Sequence, residues 1–262
     1  MDFGLKDKGI LVMASSGGIG RGVALELARE GAKVMLFARS EEKLQETADL
    51  IENETGERPS FRIGDITSRS DVEAVVEATV EECGGIWALF NNTGGPPAGG
   101  FEQFDDADWQ AAFELTMLGY IRAIRAVLPH FESGGGGRIV NNTSVSTKQA
   151  IDGLLLSNVF RSGLVGLGKS LARELGPKGI LVNTVGPGRI DTDRIEQLDT
   201  VWAEKAGISF EEQRSRSQAS IPLGRYGEPA DFGRIVAFLC SEANAYLTGQ
   251  NLLIDGAMVE AY

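Results

Sequence analysis

The stretch Gly9-Ile10-Leu11-Val12-Met13-Ala14-Ser15-Ser16-Gly17-Gly18-Ile19-Gly20 decides how the chain is read. Gly9 to Ala14 is an apolar run of strand length. Three small residues follow, Ser15, Ser16 and Gly17, then Gly18-Ile19-Gly20. Beyond them Val23, Ala24, Leu25, Leu27 and Ala28 recur at helical spacing. Strand, small-residue turn and helix together can receive a diphosphate. Small residues let backbone N–H groups approach phosphate oxygens, and the helix N-terminus adds partial positive charge. The candidates there are Ser15, Ser16, Gly18, Ile19 and Gly20. The fit to Gly-x-Gly-x-x-Gly is incomplete, because Gly20-Arg21-Gly22 is followed by Val23. A turn that only packs a helix on a sheet reads the same way.

Strand-like and helix-like segments alternate along the rest of the chain. Strands are expected at Lys33–Ala38, Arg58–Ile63, Ile86–Phe90, Arg138–Asn142, Ile180–Val185 and Asn251–Ile254. Helices are expected at Glu41–Asn53 after a Ser40 cap, Val72–Glu82, Asp106–Phe131, Leu154–Leu175 and Glu228–Ser241. The polar stretch 191–221 reads as a helical insertion beside a cleft. Repeated β-α units imply a parallel sheet covered on both faces, with right-handed crossovers. No linker or internal repeat divides residues 1–262, so one domain is expected.

Hydrophobic residues make up 42% of the 262, enough for a sizeable core. The net charge is −12 and no basic stripe appears, which argues against nucleic acid as a partner. Cys83 and Cys240 form neither a disulfide framework nor a metal spacing, and His130 is the single histidine. No metal site is expected. No apolar run approaches the roughly 18 residues of a membrane span. Met1-Asp2-Phe3-Gly4 opens no signal-peptide pattern, and a cytoplasmic protein is expected.

Several further motifs occur in order. Asn91-Asn92-Thr93-Gly94 follows the fourth strand, and Asp65-Ile66-Thr67 the third. Val182 to Gly188 ends in Pro187-Gly188, Asp191-Thr192-Asp193 comes next, and Leu252-Leu253-Ile254-Asp255-Gly256 closes the series. With the glycine turn, they resemble the short-chain dehydrogenase/reductase family over nearly the whole chain, nearest its 3-oxoacyl-(acyl carrier protein) reductases. The resemblance implies a doubly wound, Rossmann-like α/β sheet of about seven strands. It implies a nicotinamide cofactor held by the turn and by Asp65, Asn91, Thr93, Gly94, Pro187, Gly188 and Thr192. It also implies a homo-oligomer, tetramer or dimer. Gly163, Gly166 and Gly168 would let a second helix approach, or would pack on the sheet.

Two departures matter. The family's first turn glycine is Ala14 here, tolerable if φ stays negative and troublesome otherwise. Gly17 beside Gly18 offers compensating freedom. The family's catalytic Asn, Ser, Tyr and Lys fall on Thr116, Ser144, Ser157 and Arg161, so one of four survives. A serine hydroxyl is a far weaker acid than a phenol and shorter by a ring. Arg161 stays cationic and can bind ribose hydroxyls or a substrate anion, but it cannot act as an acid. Lys148 and Tyr120 are the other candidate proton donors.

Arg39 follows the second strand, where NAD-selective proteins carry an acidic residue, and an arginine there accommodates a 2′-phosphate. NADP is therefore expected over NAD, with Arg21 as a possible helper. Two functions fit. One is an oxidoreductase reducing a carbonyl of a small molecule, 3-oxoacyl-like or another ketone, with altered proton-donor chemistry. The other is a catalytically weak or inactive NADP(H)-binding sensor or scaffold.

Overall fold

The computed structural model describes residues 2–261. Seven strands form one parallel sheet: β1 Gly9–Met13, β2 Lys33–Ala38, β3 Ser60–Ile63, β4 Ala88–Asn91, β5 Gly137–Asn142, β6 Ile180–Pro187 and β7 Asn251–Ile254. Their order is β3-β2-β1-β4-β5-β6-β7, the doubly wound arrangement expected. β3 starts two residues later than its apolar pattern suggests. Pro59 has no N–H to give the ladder, and Arg58 is drawn to Asp49 and Glu52.

Side chains alternate across the strands and build two cores. Leu11, Met13, Met35, Phe37, Leu89 and Ile139 face one side. There they meet α3 Arg69–Cys83, α5 Gly119–Ser133 and α6 Leu155–Leu175. Ile10, Val12, Val34, Leu36, Phe90 and Val140 face the other. That side is covered by α1 Gly18–Arg29, α2 Glu41–Thr55 and α9 Pro229–Cys240. This period-two switch on strands buried from both faces explains why each strand reads as a continuous apolar run.

The long helix expected from Asp106 is divided. α4, Asp106–Phe113, is capped by the Asp105 carboxylate and passes into a π-helical stretch, Glu114–Leu118, before α5. The insertion is α7 Asp193–Ala206 and α8 Phe210–Ala219. α7 is pinned from below. Arg189 pairs with the fully buried Asp199 at 2.7 Å and stacks on Trp202, while the Tyr226 hydroxyl donates to Asp199 at 2.7 Å. Among the described residues no helix is long and apolar enough to cross a membrane, and no cluster of metal-ligating side chains occurs. Both cysteines are buried and unpaired.

Candidate active site

The C-terminal ends of the central strands open into one cleft of about 1000 Å³. It lies where the strand order reverses between β1 and β4, as crevices of doubly wound sheets do.

At its base Ser16, Gly17, Gly18 and Ile19 line the wall. α1 begins at Gly17 with no side-chain cap and no acidic residue in its first turn. Its first N–H groups therefore face the cleft without an internal acceptor, which is what an anion needs. A Cβ on Gly20 would stand 2.1 Å from the Ala14 carbonyl oxygen, so only glycine lets the helix seat there. Gly18 holds φ at 51° and Ala14 at 48°. Ala14 is thus in the left-handed region, the troublesome outcome, at a cost of roughly 1–2 kcal/mol. Gly17 is extended and does not supply the compensating freedom expected of it.

Ser15 is turned away from the cleft. It is fully buried, its Oγ accepts the Phe37 N–H at 2.9 Å, and its own N–H donates to the Phe37 carbonyl at 3.2 Å. It ties β1 to β2. Arg21 is not in the wall either: it donates to Thr47 and to the Ser16 carbonyl, clamping the turn from behind.

One end of the cleft carries Arg39, Lys43 and Asp65. The Arg39 side chain is 81% exposed, and its nearest carboxylate, on Asp65, is 3.9 Å away. Asp65 is itself held by accepting from the Thr67 N–H and hydroxyl at 2.8 and 2.7 Å. Lys43 was not anticipated. A lone lysine in a helix's first turn carries no signal until the Ser40 cap sets its direction.

A chain of amides forms the floor. Asn92 donates to the Ala14 carbonyl at 3.3 Å and accepts from Asn142 at 2.8 Å. The Asn142 carbonyl accepts from Arg161 Nη1 at 2.8 Å and from the Tyr120 hydroxyl at 3.0 Å. Asn142 Oδ1 is buried without a partner among the described residues. Thr93, Gly94, Pro187, Gly188 and Thr192 complete the walls, the Thr192 methyl closing to 3.3 Å of where a Gly18 Cβ would stand. Asn91 lies in the sheet below, donating to Asn141 at 2.9 Å, and does not reach the cleft.

At the other end Ser144, Ser157 and Arg161 come together. Ser144 Oγ accepts the Ser146 N–H at 3.1 Å. Ser157 is half-buried, and its hydroxyl has no protein partner among the described residues. Arg161 is 5% exposed. Thr116 does not join them. It is buried in the π-helical stretch and its hydroxyl donates to the Ala112 carbonyl at 2.6 Å. Tyr120 is also fully buried, below Arg161, with its pKa raised by burial despite the nearby guanidinium. Lys148 is exposed and outside the wall. Neither lines the cleft.

Arg194, at the start of α7, is a lining residue that no motif singles out. Its Nη2 donates to the Pro96 carbonyl at 3.3 Å.

Residues 13–258 match the family model described as Enoyl-(Acyl carrier protein) reductase. The chain is similar to 3-oxoacyl-(acyl-carrier-protein) reductase FabG of Vibrio cholerae, 34% identical over 254 residues, covering 97% of this chain and 98% of that one. Its fold superposes on L-sorbose reductase from Gluconobacter frateurii complexed with NADPH and L-sorbose, with TM-score 0.94, 29% identity and full coverage of both chains. An actinorhodin polyketide ketoreductase with NADPH gives TM-score 0.92 at 32% identity, covering 97% of this chain and 98% of that one.

Proposed function

Because the chain belongs to the short-chain dehydrogenase/reductase family, we propose that it is an NADP(H)-dependent oxidoreductase that reduces the carbonyl of a small molecule, 3-oxoacyl-like or another ketone, with an altered route for the proton. The observation that carries the proposal is the distribution of donors along the cleft. The uncapped N-terminus of α1 suits the diphosphate, and Arg39 with Lys43 suits a further phosphate at the adenosine end. Neighbouring structures that hold NADPH support the same assignment.

When bound, the nicotinamide supplies hydride. Around it this chain offers two hydroxyls, Ser144 Oγ and Ser157 Oγ, to orient a carbonyl oxygen. Arg161 places a buried positive charge beside them, available to an anionic group of the bound molecule. Among the described residues no phenol or ammonium lines this end, so the proton would reach the oxygen from water, through Ser157 Oγ. Turnover of simple ketones should accordingly be slow.

The test is titration of NADPH and NADH by nucleotide fluorescence. NADPH should bind tighter, and Arg39→Ala should remove about 1.5–3 kcal/mol of that preference, with Lys43→Ala removing a smaller share. Equal affinities in the parent protein would refute the NADP assignment. Failure of either cofactor to bind would refute the reductase.

A further inference from the structure

We infer that the substrate carries a carboxylate, gripped between Arg161 on α6 and Arg194 on α7. The inference rests on the reductase reading of the cleft. The positive groups in the wall fall into two sets. The free N–H groups of α1, Arg39 and Lys43 together answer the diphosphate and the outer phosphate of NADP(H). Three guanidinium groups of the wall remain, and Arg189 is spent on Asp199, which leaves Arg161 and Arg194 with no cofactor charge to answer.

Among the described residues neither pairs with a carboxylate. The partners of Arg161 are the Asn142 carbonyl at 2.8 Å and the Tyr120 hydroxyl at 3.4 Å. The partner of Arg194 is the Pro96 carbonyl at 3.3 Å. By contrast, Arg189 nearby is paired with Asp199 and Arg214 with Asp191. A charge that is 95% buried without a counter-ion is costly unless a ligand supplies one. Arg161 also acts on Arg194. The tip of Arg194 is tucked against Gly95 and Pro96, and its pKa is lowered by desolvation and then by the positive charge of Arg161. A bound anion relieves that repulsion.

The placement is selective. Arg161 stands beside Ser144 and Ser157, at the reacting end, and Arg194 is brought over the cleft by the insertion. A planar guanidinium grips a carboxylate through two parallel hydrogen bonds. The carboxylate is held, not changed. Hydride and a proton add across the carbonyl of the same molecule as NADPH is oxidised to NADP+.

The test uses the protein saturated with NADP+ and a calorimetric panel of 2-, 3- and 4-oxo carboxylates, each set against its own methyl ester. At least one acid should bind about tenfold or more tighter than its ester. Arg194→Gln should abolish that advantage and leave NADPH affinity unchanged, and Arg194→Lys should restore part of it. Arg161→Met should lose it too. Arg194 stands at the rim, partly open to solvent, so its replacement decides the matter if the buried Arg161 variant does not fold. No acid outbinding its ester in the parent would overturn the inference. So would an advantage that survives Arg194→Gln. If that variant weakens NADPH and leaves the acid-to-ester ratio alone, the guanidinium serves the cofactor's phosphates and the inference also falls. Loss of NADPH binding by the parent sinks the reductase reading. Intact NADPH binding with equal acids and esters sinks only the carboxylate.

Discussion

Ala14 and the pair Ser157–Arg161 set this chain apart residue by residue. Ala14 holds φ at 48°, where a methyl group is unwelcome, and Asn92 and the seat of Gly20 both depend on its carbonyl. Ala14→Gly should raise stability by about 1 kcal/mol, the strain removed less the entropy added to the unfolded chain. Urea unfolding read with and without NADPH measures it, and a loss of stability would show that the turn is relaxed as it stands. At the reacting end, Ser157→Tyr together with Arg161→Lys should restore a positioned acid, a gain of roughly 10²–10⁴ in NADPH oxidation on a ketone panel. Either change alone should give much less, because phenol and ammonium act as a unit. Thr116 limits the gain, since its hydroxyl is spent on the Ala112 carbonyl. A parent that already turns over these ketones at about 1–10³ s⁻¹ would mean that the proton has an efficient route that the reading of Ser157 misses.

Among the elements, α7 depends most on a single contact. Arg189, Asp199 and Tyr226 tie it to the loop after β6, and Asp199 is fully buried. Asp199→Asn keeps the volume but strands the Arg189 charge, and breaking a buried pair costs about 3–5 kcal/mol. Hydrogen exchange should rise across α7 and α8 and stay low in β1, β4 and β5. Uniform exchange throughout the protein would show that the insertion is not a separate unit of stability. Because α7 carries Arg194 and Thr192 stands at its N-cap, the same variant should weaken ligand binding in the cleft.

Over the whole molecule, an overall charge of −12 coexists with a cleft whose wall sets Arg39, Lys43, Arg161, Arg189 and Arg194 against Asp65, Asp152 and Asp193. Cations gathered in a concave site steer anionic ligands there even when the surface repels them. The outer face of α4 and α6 leaves Phe113 and Val159 exposed, with the Phe113, Trp109 and Phe160 rings packed beside them. Gly166 opens outward, Gly163 meets Met117, and Gly168 faces Thr184 of the sheet. This face is where a second copy should dock. Mass photometry should find a dimer or tetramer that Val159→Glu disrupts, and a monomeric parent would rule the interface out.

The run of strands and helices, and with it the parallel sheet, was legible in the chain because apolar period and turn residues are local properties. The gathering of Ser144, Ser157 and Arg161 in one cleft followed from their places after β5 and along α6. Side-chain direction did not follow. Ser15 and Asn91 turn into the sheet because the pleat and its ladder decide which face each residue takes. Thr116 lies buried in a π-helical stretch with its hydroxyl spent on the Ala112 carbonyl, away from the cleft wall. The dihedral of Ala14, the direction of Lys43 and the convergence of Arg194 on Arg161 were likewise invisible. Each is set by packing between segments far apart in sequence, and only the tertiary structure brings those segments together.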